Sequence, residues 1–567
     1  MEQGLVTIVI PVYNGANFMR EAIDSALHQT YTNCEILVIN DGSTDRGETE
    51  RIALSYGNKI RYFRKENGGT ASALNYAIDR MKGEYFAWLS HDDIYYSDKI
   101  LRQIQWMKQY RSKFSFCDYH ILREDGTKTK IIAENCYPSE YLTHGVLPVV
   151  NAMIQFGAVL LHKSIIDEYG KFDEQLRTTQ DFEYLFRISK KINPIYVPEI
   201  LYAVRTHRNQ GSNTIPTVSQ DADQMFQMFL EQIDLKEKEK AYGSSYGYYY
   251  QMFLNIWPQK HLKDSFKVCI QSLFETKDNS DVENNVFDSW KDKRIYLYGA
   301  GNYGKRLLLD MQIRGIKVEG FIDKKVKGSI ANLPCITPEQ AQLMKKDIFI
   351  IVAAIVVDEI SGELRQRGFR EFITKAQFDK LSIKNPPPKY KIIPTILNCY
   401  HQVCIYGAGV YGIRNYLLLK ESGVKVTFFC DRDPAKQGIV LDDIKCISLE
   451  ELEKKEKENM VMFICIQNGA VLREKFETMG IPYVCTSETI SDWIVSDILN
   501  PYQNKEKLDL DNTETINKIN GFRNYLVHME DNTADISDLD TADDFERMLK
   551  DILVNEQSRK KHKHSGN

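Results

Sequence analysis

The sequence predicts a modular α/β protein with one large α/β domain, a helical linker and two small α/β modules in tandem. In residues 5–198, short apolar strands alternate with helical patterns. Strand signals are absent from about residue 216 to 290, and a glycine motif then occurs twice, starting at Gly299 and Gly407. Such alternation is typical of sheets whose strands are joined through helices.

The predicted first domain covers residues 1–215. Its clearest strands are LVTIVIPV, EILVIND and EYFAWLS. Strands that alternate with helices favour a mostly parallel sheet covered on both faces. Between them Leu74, Ala77, Ile78 and Met81 recur at helical spacing, which predicts an amphipathic helix after Gly69.

The internal repeat predicts two further modules, at residues 291–384 and 395–497. IYLYGAGNYGKR and VCIYGAGVYGIR begin at Ile295 and Val403, and Gly299 and Gly407 each lie 24 residues before an acid at a strand end. Equal spacing indicates equal folds. The NPPPK segment between them suits an extended spacer.

Two segments outside these units are predicted from composition. Residues 216–290 read as a helical linker, with a tyrosine-rich patch at Tyr246–Tyr250. Residues 498–567 read as a partly helical or disordered tail, acidic at 530–546 and ending in a short basic run.

Bulk composition excludes several classes of protein. The 567 residues are 43% hydrophobic and 27% charged, as in ordinary globular proteins. The net charge of -5 gives no basic field for nucleic acid. Eleven cysteines without a CxxC pair indicate buried thiols in a reducing compartment, and apolar runs are too short for a membrane span. A cytoplasmic protein is expected, one that would reach the inner face of the membrane only from outside the bilayer.

Polar residues follow three of the predicted strands. PVYN ends the first, NDGSTD the second and SHDD the third. Parallel strands end at one edge, where ligands bind in open α/β sheets. Asp41 could accept a hydrogen bond from a base and Tyr13 could stack on it, while Asp92 and Asp93 suit a hard divalent cation.

Two later segments add candidates. Asp181 stands at the start of an amphipathic helix, where it is either a catalytic carboxylate or a structural N-cap. RTHRNQ, from Arg205, offers imidazole and guanidinium groups to a phosphate or metal. Taken singly, each of these signals also fits a turn, a cap or a solvated loop.

Together, VTIVIPVYNGANFMREAIDSALHQTY, EILVINDGSTD, KENGGTASALNYAI, WLSHDDIYY, QDFEYLFRI and RTHRNQGSN resemble the family 2 glycosyltransferases with the GT-A fold, over about residues 5–215. The resemblance implies an inverting transfer from a nucleotide diphosphate sugar, dependent on Mn²⁺ or Mg²⁺. The acceptor could be a glycan, a lipid-linked molecule or a protein.

The resemblance also assigns roles to single residues. The nucleotide-binding residues would be Pro11, Tyr13, Asp41, Gly69 and Asp92. The metal ligands would be Asp92, Asp93 and His207, and Asp181 would be the catalytic base. Two positions depart from the family pattern, since Ser90 replaces the first Asp of DxD and Gln180 replaces the Glu before the base.

The glycine motifs fit a dinucleotide-binding turn followed by a ribose-binding acid. The residues of this second ligand site would be Gly299, Gly301, Gly304 and Asp323 in the first module, and Gly407, Gly409, Gly412 and Asp431 in the second. The modules resemble small Rossmann-like domains fused to sugar-modifying enzymes. Binding or scaffolding is favoured over an NAD or nucleotide-sugar ligand. An NAD-linked sugar oxidoreductase and a non-catalytic scaffold stay open as alternatives, and the oligomeric state is undetermined.

Overall fold

The fold was analysed in a computed structural model of the chain. The structure describes residues 4–486, apart from 260, 277–286, 291, 332, 384, 388–391, 393–396, 398–401, 422, 458, 459, 467 and 468. The predicted C-terminal tail lies outside these residues. The chain divides into two compact units, the first made of residues 1–270 and 286–385 and the second of residues 271–285 and 386–567.

A nine-stranded sheet forms the centre of the first unit. Its strands are β1 (Val6–Val12), β2 (Cys34–Asp41), β3 (Arg61–Lys65), β4 (Tyr85–Trp88), β5 (Ile94–Tyr95), β6 (Phe114–Arg123), β7 (Lys128–Ile131), β8 (Val159–His162) and β9 (Ile195–Thr206). The order across the sheet is β3, β2, β1, β4, β8, β6, β9, β5, and β7 pairs with β6. The apolar strands β1, β2 and β4 match the three that the sequence predicts.

The sheet is mixed, which corrects the prediction of a mostly parallel sheet. Strands β3, β2, β1 and β4 run parallel. Beyond β4 the pairings of β8 with β4 and β6, of β5 with β9 and of β7 with β6 are antiparallel, while β6 and β9 are parallel. A pattern of short apolar runs identifies strands but does not encode the direction of their neighbours.

Helices flank this sheet and fill the segment that follows it. They are α1 (Met19–Leu27), α2 (Glu48–Leu54), α3 (Thr70–Ile78), α4 (Lys99–Tyr110), α5 (Ala133–Cys136), α6 (Ser139–Leu142), α7 (Leu147–Val150), α8 (Lys163–Tyr169), α9 (Gln180–Ser189), α10 (Gly211–Thr214), α11 (Val218–Gln232), α12 (Leu235–Tyr242), α13 (Ser245–Ile256) and α14 (Lys263–Glu275). Helix α1 shows why the chain folds this way, since Met19, Ala22, Ile23 and Ala26 fall on one buried face at helical spacing. The predicted helix after Gly69 is α3.

The first repeat folds into a six-stranded sheet within the first unit. Its elements are β10 (Ile295–Tyr298), α15 (Asn302–Ile313), β11 (Val318–Ile322), β12 (Gly328–Ile330), β13 (Leu333–Ile336), α16 (Pro338–Leu343), β14 (Phe349–Val352), α17 (Val357–Gln366), β15 (Phe372–Thr374) and α18 (Lys375–Ser382). The strand order is β12, β13, β11, β10, β14, β15, with only the β12–β13 pairing antiparallel among these strands. Apolar clusters cover both faces of the sheet.

The second repeat folds into a sheet of the same design within the second unit. Its elements are β16 (Gln402–Tyr406), α19 (Val410–Glu421), β17 (Phe428–Cys430), β18 (Val440–Leu441), β19 (Ile444–Ile447), α20 (Leu449–Glu453), β20 (Met460–Ile464), α21 (Arg473–Thr478) and β21 (Tyr483–Thr486). The order β18, β19, β17, β16, β20, β21 repeats that of the first module strand for strand.

The first module packs on the preceding helices through buried polar groups. Arg306 of α15 donates hydrogen bonds to the side-chain oxygens of Asn255 and Gln251 on α13, the latter at 2.9 Å. Tyr250 of α13 donates to Asp310 at 2.6 Å. These hydrogen bonds join the module to α13, and the module is part of the first compact unit.

The four-residue helix α5 and Tyr137, which follows it, contribute a second set of contacts with the first module. The hydroxyls of Tyr137 and Tyr303 lie 2.9 Å apart, and Asn135 donates to Asp358 at 2.8 Å. Tyr303 belongs to the GAGNYG motif itself, so part of that motif serves packing.

No helix in the described part of the chain combines the length and the apolar character required to cross a membrane.

Candidate functional site

The site lies at the edge where β1, β2 and β4 end. These strands are adjacent and parallel, so the loops that follow them meet, as the sequence predicts. The side-chain oxygen of Asn14, after β1, accepts a hydrogen bond from the backbone amide of Thr44 at 2.7 Å. The backbone amide of Asn14 donates to the Ser43 hydroxyl at 2.9 Å. Asn14 has a φ of 50°, a left-handed conformation that Asn tolerates better than most residues.

Asp41 fastens a loop at this edge. Its Oδ1 accepts from Lys65 Nζ at 2.7 Å and from the Gly68 amide at 3.1 Å, while Oδ2 accepts from the Gly69 amide at 2.8 Å. Gly69 has a φ of 87°, which favours glycine, and precedes α3. The structure therefore joins Asp41 and Gly69 directly, and each oxygen of Asp41 already accepts a bond.

Tyr13 and Pro11 differ in access. The Tyr13 ring is 46% exposed, so a planar ligand could stack on it. Pro11 is buried within β1, opposite Ile39, and can contribute only to the floor of a nucleoside pocket. The β1–β4 pairing ends at Val9 and Trp88, so the missing N–H of Pro11 removes no ladder bond to β4.

Asp92 and His207 form the pair best suited to a cation. His207 Nε2 lies 2.9 Å from Asp92 Oδ2, and both side chains are largely buried. His207 directly follows β9, so the end of that strand brings it to the loop after β4. Within the described residues there is no group of three or more His, Cys, Asp or Glu side chains that could hold a metal ion.

Asp93, expected to be a metal ligand beside Asp92, has a hydrogen-bond donor at each of its oxygens. Its two oxygens accept from the Tyr202 hydroxyl and from the Arg205 amide, the latter at 2.8 Å. Burial, together with the neighbouring Asp92, raises the pKa of Asp93 well above its ordinary value. Asp93 therefore holds the end of β9 in place and thereby positions His207.

Arg205 completes this support. Its Nε donates to the Asp92 carbonyl at 2.8 Å, and its Nη2 donates to Glu21 at 2.8 Å. The guanidinium also lies over the Phe18 ring, whose centroid is 5.1 Å from that of His207. The Asp92–His207 pair is thus supported from the side of α1 as well as from β9.

Asp181 occupies the first turn of α9 and is not the N-cap, which is Thr179. Its Oδ1 is enclosed and has no hydrogen-bond partner among the described residues. Burial raises the pKa of Asp181 to about 6. This is the environment of a carboxylate that can accept a proton near neutral pH.

Aromatic contacts place α9 beside the end of β4. Trp88 lies 6.2 Å from Phe172, and Phe172 stacks on Tyr184 of α9 at 4.4 Å, between ring centroids. The neighbouring Gln180 is also buried. Through this cluster Asp181 belongs to the same end of the molecule as the loop that carries Asp92.

Sequence reasoning missed Lys65, Tyr202 and Arg177. Lys65 ends β3, so the rule that sheet-edge residues bind ligands would have found it. Arg177 is exposed, and a β-carbon built on Gly69 would lie 3.2 Å from its Nη1, so the loop before α9 reaches the start of α3. No local pattern signals Tyr202, which lies inside an apolar strand.

The acids of the glycine modules are occupied by their own loops. Asp323 accepts from the amides of Ala300, Lys325 and Val326, and Asp431 accepts from those of Ala408 and Asp433. The ribose-binding role expected of these acids would require bonds beyond those that tie each loop together.

The glycines divide into two kinds. A β-carbon on Gly304 or Gly412 would collide with the carbonyl oxygen of Gly299 or Gly407, and both Gly299 and Gly407 have positive φ. By contrast a β-carbon on Gly301 meets no atom within 4 Å, and one on Gly409 meets only Lys436 Nζ at 3.5 Å. The outer glycines are thus required by the fold, while Gly301 and Gly409 leave room above the loop.

Comparison with known proteins identifies the family. Residues 7–170 match the model named Glycosyl transferase family 2. An uncharacterized glycosyltransferase of Rickettsia typhi is 41% identical over 247 residues, which are 43% of this chain and 77% of that protein. The chain belongs to glycosyltransferase family 2.

Other relatives match a smaller share of their own length. An uncharacterized glycosyltransferase of Rickettsia felis is 46% identical over 246 residues, 43% of this chain and 41% of that protein. The chain therefore spans about two fifths of the length of the first relatives it matches. The solved structure of S. aureus TarS aligns over 47% of this chain and 49% of that one, with a TM-score of 0.35 and 15% identity.

Proposed function

We propose that this protein is an inverting glycosyltransferase that moves a sugar from a nucleotide diphosphate donor to a hydroxyl group. The single observation that carries the proposal is that a pair suited to a cation and a carboxylate suited to act as a base lie at the same end of the molecule. There Asp92 and His207 form a hydrogen-bonded pair, to which we assign the cation, and Asp181 is a carboxylate whose pKa is raised to about 6. The family membership of residues 7–170 agrees with this reaction.

The Asp92–His207 pair fits a divalent cation. A carboxylate oxygen and an imidazole nitrogen are ligands that Mn²⁺ accepts, and two protein ligands leave positions for phosphate oxygens and water. Such a cation would stabilise the negative charge that develops on the departing nucleoside diphosphate. Tyr13 would stack on the base, and Asp41 would fix the loop of Gly68 and Gly69 beneath the nucleotide.

Asp181 would remove the proton from the attacking hydroxyl. The carboxylate accepts that proton as the new glycosidic bond forms and the bond to the diphosphate breaks. Attack from the face opposite the leaving group inverts the anomeric centre. The neutral amide of Gln180 beside it adds no second charge, so burial alone accounts for the raised pKa of Asp181.

The function is tested with the full chain, a panel of UDP-, GDP- and dTDP-sugars, MnCl₂ and a set of methyl glycoside acceptors. Release of free nucleoside diphosphate that depends on an acceptor, with an NMR-detected product of inverted anomeric configuration, is the expected result. A product that retains the donor's configuration would contradict inversion. Oxidation of a sugar coupled to NAD reduction would instead favour the oxidoreductase alternative.

Replacing Asp92 with Ala should weaken binding of Mn²⁺ and of the donor together, by about tenfold or more, because the cation would link the carboxylate to the diphosphate. Isothermal titration of Mn²⁺ and of a nucleoside diphosphate, each with and without the other, measures this coupling. The control is Asp98→Asn, which alters an exposed carboxylate that accepts a hydrogen bond from Thr30. Unchanged Mn²⁺ affinity in Asp92→Ala would contradict the assignment.

The pH dependence of transfer should follow Asp181. The base acts only when deprotonated, and burial raises its pKa to about 6. We therefore expect kcat/KM to be level above that pH and to fall by about tenfold per pH unit below it. Initial rates measured at saturating Mn²⁺ across the range give the midpoint. An acid limb centred near the ordinary carboxyl pKa of about 4 would show that burial does not control the base.

A further inference from the structure

An open cleft lies beside His207. It is formed by the turn that follows β6 and by the segment that follows β9. Six of its lining residues are Arg123, Glu124, Asp125, His207, Arg208 and Asn213. His207 therefore contributes its imidazole to the pair with Asp92 and one wall to this cleft.

Hydrogen bonds between side chains and the backbone hold the cleft in shape. Glu124 Oε1 accepts from the Arg208 amide at 3.1 Å, and Asn213 Nδ2 donates to the His207 carbonyl at 3.1 Å. Asp125 Oδ1 accepts from the amide and hydroxyl of Thr127, which closes the turn. The two walls are thus joined to each other, and the cleft does not depend on a ligand for its form.

The side chains that line the cleft indicate which class of ligand it binds. Two guanidinium groups and two carboxylates balance in formal charge, and the wall offers both donors and acceptors. A polyanion would meet two carboxylates, whereas the accessible wall combines apolar carbon with polar atoms, as the C–H faces and the hydroxyls of a sugar do. A neutral molecule rich in hydroxyl groups can both donate and accept at every position.

We propose that this cleft binds a neutral, hydroxyl-rich sugar of the acceptor, next to the Asp92–His207 pair. The proposal rests on the proposed function and extends it, because it makes the acceptor a carbohydrate. The exposed Arg208 guanidinium, whose backbone is fixed by Glu124, is the donor that would contact sugar hydroxyls.

The test is saturation-transfer difference NMR on the full chain with the methyl glycosides of glucose, galactose, mannose and N-acetylglucosamine, and with glycerol 3-phosphate as an anionic probe. At least one methyl glycoside should give a signal, and Arg208→Ala should weaken its binding by about tenfold because a hydrogen bond to a charged group is lost. Arg370→Ala removes an exposed arginine of the first module and should leave the signal unchanged. Titration with UDP and GDP should give equal affinities in all three proteins.

Three results would overturn the proposal: no glycoside signal, a signal that Arg208→Ala leaves intact, or binding of glycerol 3-phosphate in preference to the sugars. Loss of nucleotide affinity in Arg208→Ala would also overturn it, because the cleft would then belong to the donor. Failure of the proposed function looks different. In that case a glycoside binds in an Arg208-dependent way while no donor yields free nucleoside diphosphate.

Discussion

Replacing Asp181 with Asn is expected to lower kcat by about 100-fold or more while the protein stays folded and binds the donor normally, because a well-placed base contributes about 10²- to 10⁴-fold. The amide has the shape of the carboxylate but cannot accept the proton. The substitution should have little effect on stability, because Oδ1 of the carboxylate is enclosed without a partner. Acceptor-dependent release of nucleoside diphosphate gives kcat, and titration with the nucleotide gives donor affinity.

Glu183→Gln is the matched control for Asp181→Asn. Glu183 lies in the same first turn of α9 but pairs with Arg187 at 2.8 Å, away from any proposed substrate contact. It should keep kcat within about twofold, since a partly exposed ion pair contributes little. More than a tenth of the normal kcat in Asp181→Asn would exclude Asp181 as the base.

Replacing Arg306 with Ala should destabilise the first unit by about 2–4 kcal/mol, because the buried oxygens of Asn255 and Gln251 lose their charged donor. The unfolding midpoint of that unit should fall by roughly 5 °C or more. Differential scanning calorimetry measures the transition. Transfer activity measured well below the midpoint should change less than stability, since Arg306 touches no residue of the proposed site.

Lys305→Ala provides the comparison, because Lys305 is exposed on the same helix, one residue away. It should leave the midpoint within about 1 °C. Equal midpoints for Arg306→Ala and the unaltered chain would mean that the first module folds independently of α13. Truncation before the module would then be harmless, whereas the buried contacts lead us to expect that it exposes unpaired polar groups.

The half of the fold that could be predicted from sequence is the half built from local patterns. The apolar runs of β1, β2 and β4 specify strands, and parallel strands necessarily bring the loops after them to one edge. Tyr13, Asp41 and Asp92 therefore fall where they are expected. The mixed half of the sheet depends on pairings such as that of Ser115 with Ile195, and periodicity does not name a strand's partner.

The roles of adjacent residues were harder to separate. Asp92 and Asp93 are equivalent in sequence, yet one meets His207 and the other is enclosed by Tyr202 and Arg205. Only the position of β9, more than a hundred residues later in the chain, decides between them. Similarly, GAGNYGKR matches a nucleotide-binding turn, but Tyr303 and Arg306 bond to the preceding helices, which no short motif reveals.

The buried contacts of α15 with α13 also define where the chain can be recombined. A chimera joined near residue 290 would separate Arg306 from Asn255 and Gln251 and would place a foreign surface against Tyr250 and Tyr137. A junction at Asn385 and Pro386 keeps every one of these partners on the same side. The natural unit of exchange is therefore the transferase domain together with the first module.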